Sequence, residues 1–492
     1  MSETPSSLVT KVWNYAHVLR EQGISYGDYL EQITYLLFLK MDEERTEYLG
    51  QPSILPKGFQ WEDLVKLDGD DLEAHYRKTL EKLAAEPGII GTIFRKSQNK
   101  LSDPAKLKRV VSMIAGETWM GIQVDVKGAI YEGLLEKNAS EVKSGAGQYF
   151  TPRAVIQAMV ELVAPKVGET VHDPACGTGG FLLEAYEQMK EQTHDISKIR
   201  QLREKTFSGT DIVPDVVRLC AMNLYLHGLG GGNSPIEEAD ALLSDSGTRY
   251  DVILTNPPFG KKSSYRYVDE EGDIQTETEE YSREDFRFST SNKQLNFLQH
   301  IMTVMKLTGK AGVVLPDNVL FETGQAGEGI RKRLLQQFDF HTLLRLPTGI
   351  FYKPGVKANV LFFDRKPPRA DQKPWTKELW IYDLRTNLHF TLKKNPLKRA
   401  DLDDFVACYS AQDRSKRKET ERFKKFTYEE LIARDHTDLN IFWIPDESLE
   451  DLDNLPTPDI IAQEIVDNLA AALEQFRGVA EELGGEPIEE VE

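Results

Sequence analysis

At 492 residues the chain is too long for one ordinary hydrophobic core and is read as two or three domains. Its 40% hydrophobic and 28% charged content fits a soluble globular protein, and apolar runs such as Tyr35–Leu39 are too short to span a bilayer, which excludes a membrane role. The formal net charge of −19 argues against tight, independent binding to a polyanion; a nucleic-acid substrate would need basic surface from a partner or a local patch.

The stretch Met1–Pro5 lacks the basic-then-apolar layout of a signal peptide. Cys176, Cys220 and Cys408 make no disulfide framework, and the expected compartment is a reducing cytoplasm. Residues 6–138 read as a helical domain. Ser25 and Asp28 predict an N-cap and acidic first turn for a helix through Met41, and residues 70–85 and 105–113 keep the 3.6-residue spacing. No catalytic cluster stands out there, so an interaction role is expected.

From 139 the pattern changes. Short β runs at 170–173, 206–211, 250–255, 311–316, 342–346 and 359–363 alternate with helical stretches. That alternation predicts an α/β fold, a doubly wound sheet. The last two runs can pair as a hairpin that adds a terminal antiparallel strand. The polar segment 260–290 reads as a long loop beside the active crevice. Domains are expected at 1–138, 139–400 and 401–492. In the last, Arg414–Lys425 is dense in charge and reads as a solvated helix or linker. Residues 459–483 predict an amphipathic helix whose stripe of Ile461, Ile465, Leu469, Leu473, Phe476, Ala480 and Leu483 must be covered by its own domain or by a partner helix.

Five motifs carry chemistry. Asn256-Pro257-Pro258-Phe259 follows the strand run 250–255, where open α/β sheets place ligands. An adenine amine is a poor nucleophile because its lone pair is delocalised into the ring. The Asn256 amide oxygen and the Pro257 carbonyl can draw that nitrogen toward tetrahedral geometry, and Phe259 offers a stacking face. The second motif, Asp173-Pro174-Ala175-Cys176-Gly177-Thr178-Gly179-Gly180, lets backbone approach a ligand without Cβ clashes. Asp173 leads it and no phosphate-binding lysine follows, which suits S-adenosylmethionine, with its ammonium and ribose, better than a nucleoside triphosphate. Third, Asp211 ends the next strand and is either a ribose hydroxyl acceptor or the N-cap of the following helix. Fourth, Asp240 is either an acceptor for the cofactor's adenine amine or a surface-turn aspartate. Fifth, Gln148-Tyr149-Phe150-Thr151-Pro152-Arg153 precedes a helix, with Thr151 as N-cap and Pro152 as first helical residue.

Together these motifs resemble S-adenosylmethionine-dependent DNA adenine-N6 methyltransferases, and the chain is similar over nearly its whole length to the methylation (M) subunits of type I restriction–modification systems. The resemblance implies a Rossmann-like methyltransferase fold and S-adenosylmethionine as cofactor. It implies cofactor contacts at Gln148–Arg153 and Thr178–Gly180, and a flipped adenine at Asn256–Phe259. Asp211 stands where the family often has Glu. The implied partners are duplex DNA, reached mainly through the complex, a specificity subunit that supplies recognition, and a second M copy; a restriction subunit can join. No metal is implied. Rival readings are a protein-glutamine N5-methyltransferase, which typically has Tyr after the prolines and a shorter chain, and a non-catalytic scaffold of the same fold.

Overall fold

The computed structural model describes residues 26–50, 52–119, 151–230, 232–259, 263–268, 274–279, 281, 283–351, 355–392 and 394–445, with 462, 463, 465, 466, 469 and 473. In chain order, the helices α1 (Tyr26–Leu49), α2 (Trp61–Val65), α3 (Gly69–Ala84), α4 (Gly88–Phe94), α5 (Pro104–Ala115) and α6 (Arg153–Val163) come first. Then follow β1 (Val171–Asp173), α7 (Gly180–Lys190), α8 (Ile196–Gln201), β2 (Phe207–Asp211), α9 (Pro214–Leu226), β3 (Ile236–Glu238), β4 (Tyr250–Thr255), β5 (Ser263–Val268) and β6 (Ile274–Glu279). The rest comprises α10 (Lys293–Val304), β7 (Met305–Pro316), α11 (Asn318–Phe321), α12 (Gly324–Gln337), β8 (Phe338–Arg345), β9 (Ala358–Arg365), β10 (Glu378–Asp383), α13 (Asp403–Tyr409), β11 (Phe423–Thr427) and α14 (Tyr428–Ala433). No helix among the described residues is long and apolar enough to cross a membrane.

The chain forms two compact units, 1–148 with 165–241, and 149–164 with 242–492. In the first, β1 and β2 pair in parallel, as do β2 and β3. Every residue of α9 from Val216 to Leu226 is buried, as expected for a helix covered on all sides. Leu219, Ala221, Met222, Tyr225 and Leu226 share one apolar core with α1 to α5. A polar bridge crosses it: the Tyr225 hydroxyl accepts from Arg45 Nη1 at 2.6 Å and donates to Asp42 Oδ1 at 2.7 Å. Burial pushes the Asp42 carboxyl above its ordinary value, against the pull of Ser53, Tyr225 and Arg45.

In the second unit the strand order is β11-β10-β8-β9-β7-β4. Strands β4 and β7 are parallel, and so are β8 and β10; β9 runs antiparallel between β7 and β8. Period-2 alternation gives the sheet two apolar faces. Val313, Phe363 and Ile381 join the core of α10 and α12. Their neighbours point the other way: Gly312 approaches Met159 and Val163 of α6, and Phe362 and Tyr382 meet Phe405 of α13. Helices on both faces are what the strand–helix alternation predicts.

Four sequence readings need correction. The antiparallel strand β9 lies inside the strand order, and β10 and β11 extend the sheet beyond it. The segment 260–290 is not all loop, because β5 and β6 pair within it as an antiparallel hairpin. The charge-dense stretch 414–425 is no solvated helix: Arg414 bridges Asp339 and Asp364 at 3.0 and 3.2 Å, Arg417 is buried, and β11 begins at Phe423. The motif aspartate Asp211 does not cap α9 directly, since the N-cap is Val213. Of the expected tail stripe, Ile465, Leu469 and Leu473 are helical and exposed, while Ile461, Phe476, Ala480 and Leu483 lie outside the described residues.

Replacing Tyr225 by Phe leaves Asp42 and Arg45 buried without their shared hydroxyl. Urea unfolding should show a loss of about 1–3 kcal/mol.

Candidate functional site

In the first unit the candidate residues gather on the turn after β1. Asp173 is buried, and its Oδ1 accepts from the Ala175 N–H at 3.0 Å, which bends the chain as it leaves the strand. The loop is pinned from below: Cys176 N donates to Thr210 O at 3.0 Å, and Gly177 N to Asp211 Oδ2 at 3.1 Å. Asp211 Oδ1 accepts from Val213 N at 3.0 Å. One carboxylate therefore ties the glycine loop to the start of α9, and each oxygen keeps capacity for a further donor. Burial pushes the Asp211 carboxyl above its ordinary value, against the backbone N–H groups of Val213 and Gly177.

The glycines differ in role. Gly177 and Gly179 both have left-handed backbones, with φ of 53° and 84°. A Cβ on Gly179 would stand 2.9 Å from Cys220 Sγ, and one on Gly209 of β2 would stand 2.8 Å from Cys176 Cβ. Those two glycines let the loop, α9 and β2 close together. Gly177 is unlike them, because nothing lies within 4 Å of its would-be Cβ. That open approach to main chain, beside a carboxylate, fits a nucleoside-bearing cofactor. Gly180 opens α7. Sequence reasoning missed Asn223, fully buried on α9, whose Nδ2 donates to Thr178 O at 2.9 Å. Its only sequence signal is an amide within an otherwise apolar helix. Asp240 sits half-buried in the turn after β3, next to Ala239, whose N–H donates to Asp211 O at 3.1 Å.

In the second unit, Asn256 follows β4 directly. Its Nδ2 donates to Thr151 Oγ1 at 2.8 Å, which sets the direction of the amide. Thr151 is thus not the N-cap of α6: Pro152 takes that place with φ −53° and ψ 135°, and Arg153 is the first helical residue. Pro257 is buried and Pro258 exposed. The Phe259 ring meets Phe351 edge to face, with centroids 5.7 Å apart. Phe351 was not foreseen, since a Phe in the turn 347–351 carries no local signature. Gln148, Tyr149 and Phe150 lie outside the described residues.

A buried polar row on α10 holds the chain that leads into it. Gln299 accepts from Phe288 N and donates to Phe288 O, at 3.2 and 2.9 Å, and Asn296 Nδ2 donates to Thr290 O at 2.7 Å. Arg283 donates to both oxygens of Asp285 at 2.9 and 2.8 Å, and to His300 Nδ1 at 3.1 Å. Burial first, then the Arg283 charge, pushes His300 down to about 4.

Comparison with known proteins points in one direction. The profile of the N-6 DNA methylase family matches residues 122–444, and that of the HsdM N-terminal domain matches residues 8–114. The chain is 36% identical to the type I restriction enzyme StySPI methylase subunit of Salmonella potsdam and to the EcoKI methylase subunit of Escherichia coli K12, in both cases over 97% of this chain and 96% of the relative. Among solved structures, a modification subunit from Vibrio vulnificus YJ016 superposes with a TM-score of 0.73 at 27% identity, covering 89% of this chain and 95% of that one. The EcoKI M protein superposes with a TM-score of 0.53 at 31% identity, covering 98% and 97%.

Two outcomes follow from this geometry. His300 is neutral in the folded chain, and below about 6.5 the unfolded chain takes up a proton that the folded one refuses until about 4. Stability should therefore fall as pH drops through that window, by about 2 kcal/mol at pH 5, and His300→Gln should flatten this part of a plot of urea midpoint against pH. Separately, Gly177→Ala should cost about 1–2 kcal/mol of backbone strain, and Gly179→Ala about 1–3 kcal/mol more from overpacking against Cys220, by the same unfolding measurement.

Proposed function

The chain belongs to the N-6 DNA methylase family, and we propose that it transfers a methyl group from S-adenosylmethionine to N6 of a flipped-out adenine in duplex DNA. It acts as the modification subunit of a type I restriction–modification complex, in the cytoplasm, with target choice left to a separate specificity subunit. One observation carries the reading: the Asn256 amide is oriented by Thr151 at the end of a buried strand, directly before Pro257-Pro258 and a braced Phe259.

The chemistry asks little covalent work of the protein. Adenine N6 would gain the methyl as the methyl–sulfur bond breaks to leave a neutral thioether, and would release one proton to water, so its lone pair must first be freed from the ring. Asn256 Oδ1 and the Pro257 carbonyl accept from the two N6 hydrogens, which favours a tetrahedral nitrogen. Proline holds its carbonyl rigidly because its φ is fixed. Phe259 stacks on the purine. A base inside the duplex cannot reach these groups, so it must leave the stack. The cofactor supplies a methyl on a cationic sulfonium, and Asp173, Gly177 to Gly180, Asp211 and Asp240 would hold it, with Gln148 to Arg153 covering it. Asp211 would accept from the ribose, and the open approach to the main chain at Gly177 would admit the ligand.

The remaining regions fit subunit work. Residues 1–138 serve as a helical contact domain, 139–400 as the catalytic domain, and 401–492 as a region whose terminal helix meets other subunits. The partners are the specificity subunit, a second copy of this chain and, in restricting complexes, a nuclease subunit. The net charge of −19 agrees with that division, because most phosphate contacts would then lie on other chains.

With the assembled complex, a duplex carrying the target and labelled S-adenosylmethionine, Asn256→Ala should lower methylation rate by about 100- to 1000-fold while cofactor binding persists. Asp211→Ala should do the reverse, raising the cofactor Kd first. Unchanged methylation by the Asn256 variant would sink the catalytic assignment.

A further inference from the structure

Acidic residues outnumber basic ones 79 to 60 in the chain. Yet the stretch from Leu384 to Ala400 carries Arg385, Lys393, Lys394, Lys398 and Arg399 and holds no Asp or Glu. Such a run in an acidic chain is a local exception to the surrounding field.

Its position is set by the sheet of the second unit. Strands β4, β7, β8 and β10 run the same way, so their C-terminal ends share one edge. Asn256 leaves β4 there, and the basic stretch leaves β10 there. Arg385 anchors its start, donating to both oxygens of Asp317 at 2.7 and 3.0 Å, to Leu346 O at 2.8 Å and to Ala358 O at 2.9 Å. Further along, a Cβ on Gly349 would stand 2.2 Å from Phe390 O, so only glycine permits this approach. The turn that carries Gly349 also carries Phe351, whose ring braces Phe259. The basic loop is therefore packed on the turn that supports the adenine motif.

The loop is shaped before any ligand arrives. Thr391 Oγ1 accepts from the N–H groups of Lys394 and Asn395 at 3.1 and 2.8 Å, and Asn395 Nδ2 donates to His389 O at 2.7 Å. Arg399 is committed to Glu161 and Asp403. Lys394 and Lys398 are exposed; the Lys398 N–H donates to Asp401 Oδ2 at 2.7 Å, while among the described residues neither ammonium pairs with a carboxylate. Lys394 thus lies on a shaped loop packed against the turn of Gly349 and Phe351, and Lys398 follows four residues on.

We infer that the loop from Asn387 to Lys398 binds the phosphate backbone of the DNA strand flanking the target adenine, through Lys394 and Lys398. The inference rests on the DNA-methylase reading and extends it to a surface within this chain. Lysine suits this contact, because an ammonium on a flexible stem grips phosphate without reading sequence. The loop holds the backbone on either side of the extruded nucleotide while recognition lies elsewhere.

The test uses the assembled complex, with Lys394→Gln/Lys398→Gln in the full chain and Lys373→Gln as control; Lys373 lies on the connection from β9 to β10, at the opposite sheet edge. Binding to target and non-target duplexes is measured across a salt series. The double variant should weaken both about equally and lower the slope of log K against log salt by about 2, with cofactor binding unchanged and the control like wild type. An unchanged slope overturns the inference. So does failure of the double variant to assemble, which would make the loop a protein-contact surface. If the wild-type complex shows no adenine methylation, the functional reading fails, while the slope comparison still decides the loop.

Discussion

The glycine loop keeps its shape because α9 is buried on every side. One face of that helix lies in the apolar core of α1 to α5, and another offers Cys220 to Gly179 and Asn223 to the Thr178 carbonyl. A helix with no solvent face cannot shift without opening a cavity, and cavities in packed cores cost several kcal/mol. The loop thus inherits its rigidity from the helical domain. Asp211 adds the matching constraint from β2, binding loop and helix start with one carboxylate.

In the second unit the corresponding constraint is the parallel sheet edge. Strands that are far apart in the chain end there: β4 at Thr255, β7 at Pro316, β8 at Arg345 and β10 at Asp383. The buried pair of Asp317 and Arg385 ties the ends of β7 and β10 together. Burial alone would raise the Asp317 carboxyl, but Arg385, with help from Arg345 and Asn359, holds it below its ordinary value. A pair of this kind is costly to break, since the remaining partner stays buried and uncompensated. The same edge carries the Asn256 amide and the turn of Phe351, so motif, brace and basic loop rest on one scaffold.

An acidic chain that handles DNA divides its labour. Bulk charge disfavours independent capture of the duplex, while chemistry on a single base needs only a few acceptors and a stacking face. A small basic loop packed on the turn of Gly349 and Phe351 would satisfy both demands. It supplies local grip without giving the isolated chain strong non-specific affinity.

Much of this was legible in the sequence by itself. Local chemistry determined it: glycines after an apolar run, prolines after a strand, and apolar periods of 2 and 3.6 each act over a few residues. They revealed the α/β alternation, the glycine loop and Asn256 to Phe259. Tertiary structure alone decided which distant groups meet. Thr151 turns from expected cap to partner of Asn256, Asn223 reaches Thr178, and Phe351 reaches Phe259. The short edge strand β11, Phe423–Thr427, escaped notice because lysines on a sheet edge look like a solvated run. Periodicity reports which face of an element is apolar; only packing reports what that face, or a lone polar side chain on it, will touch.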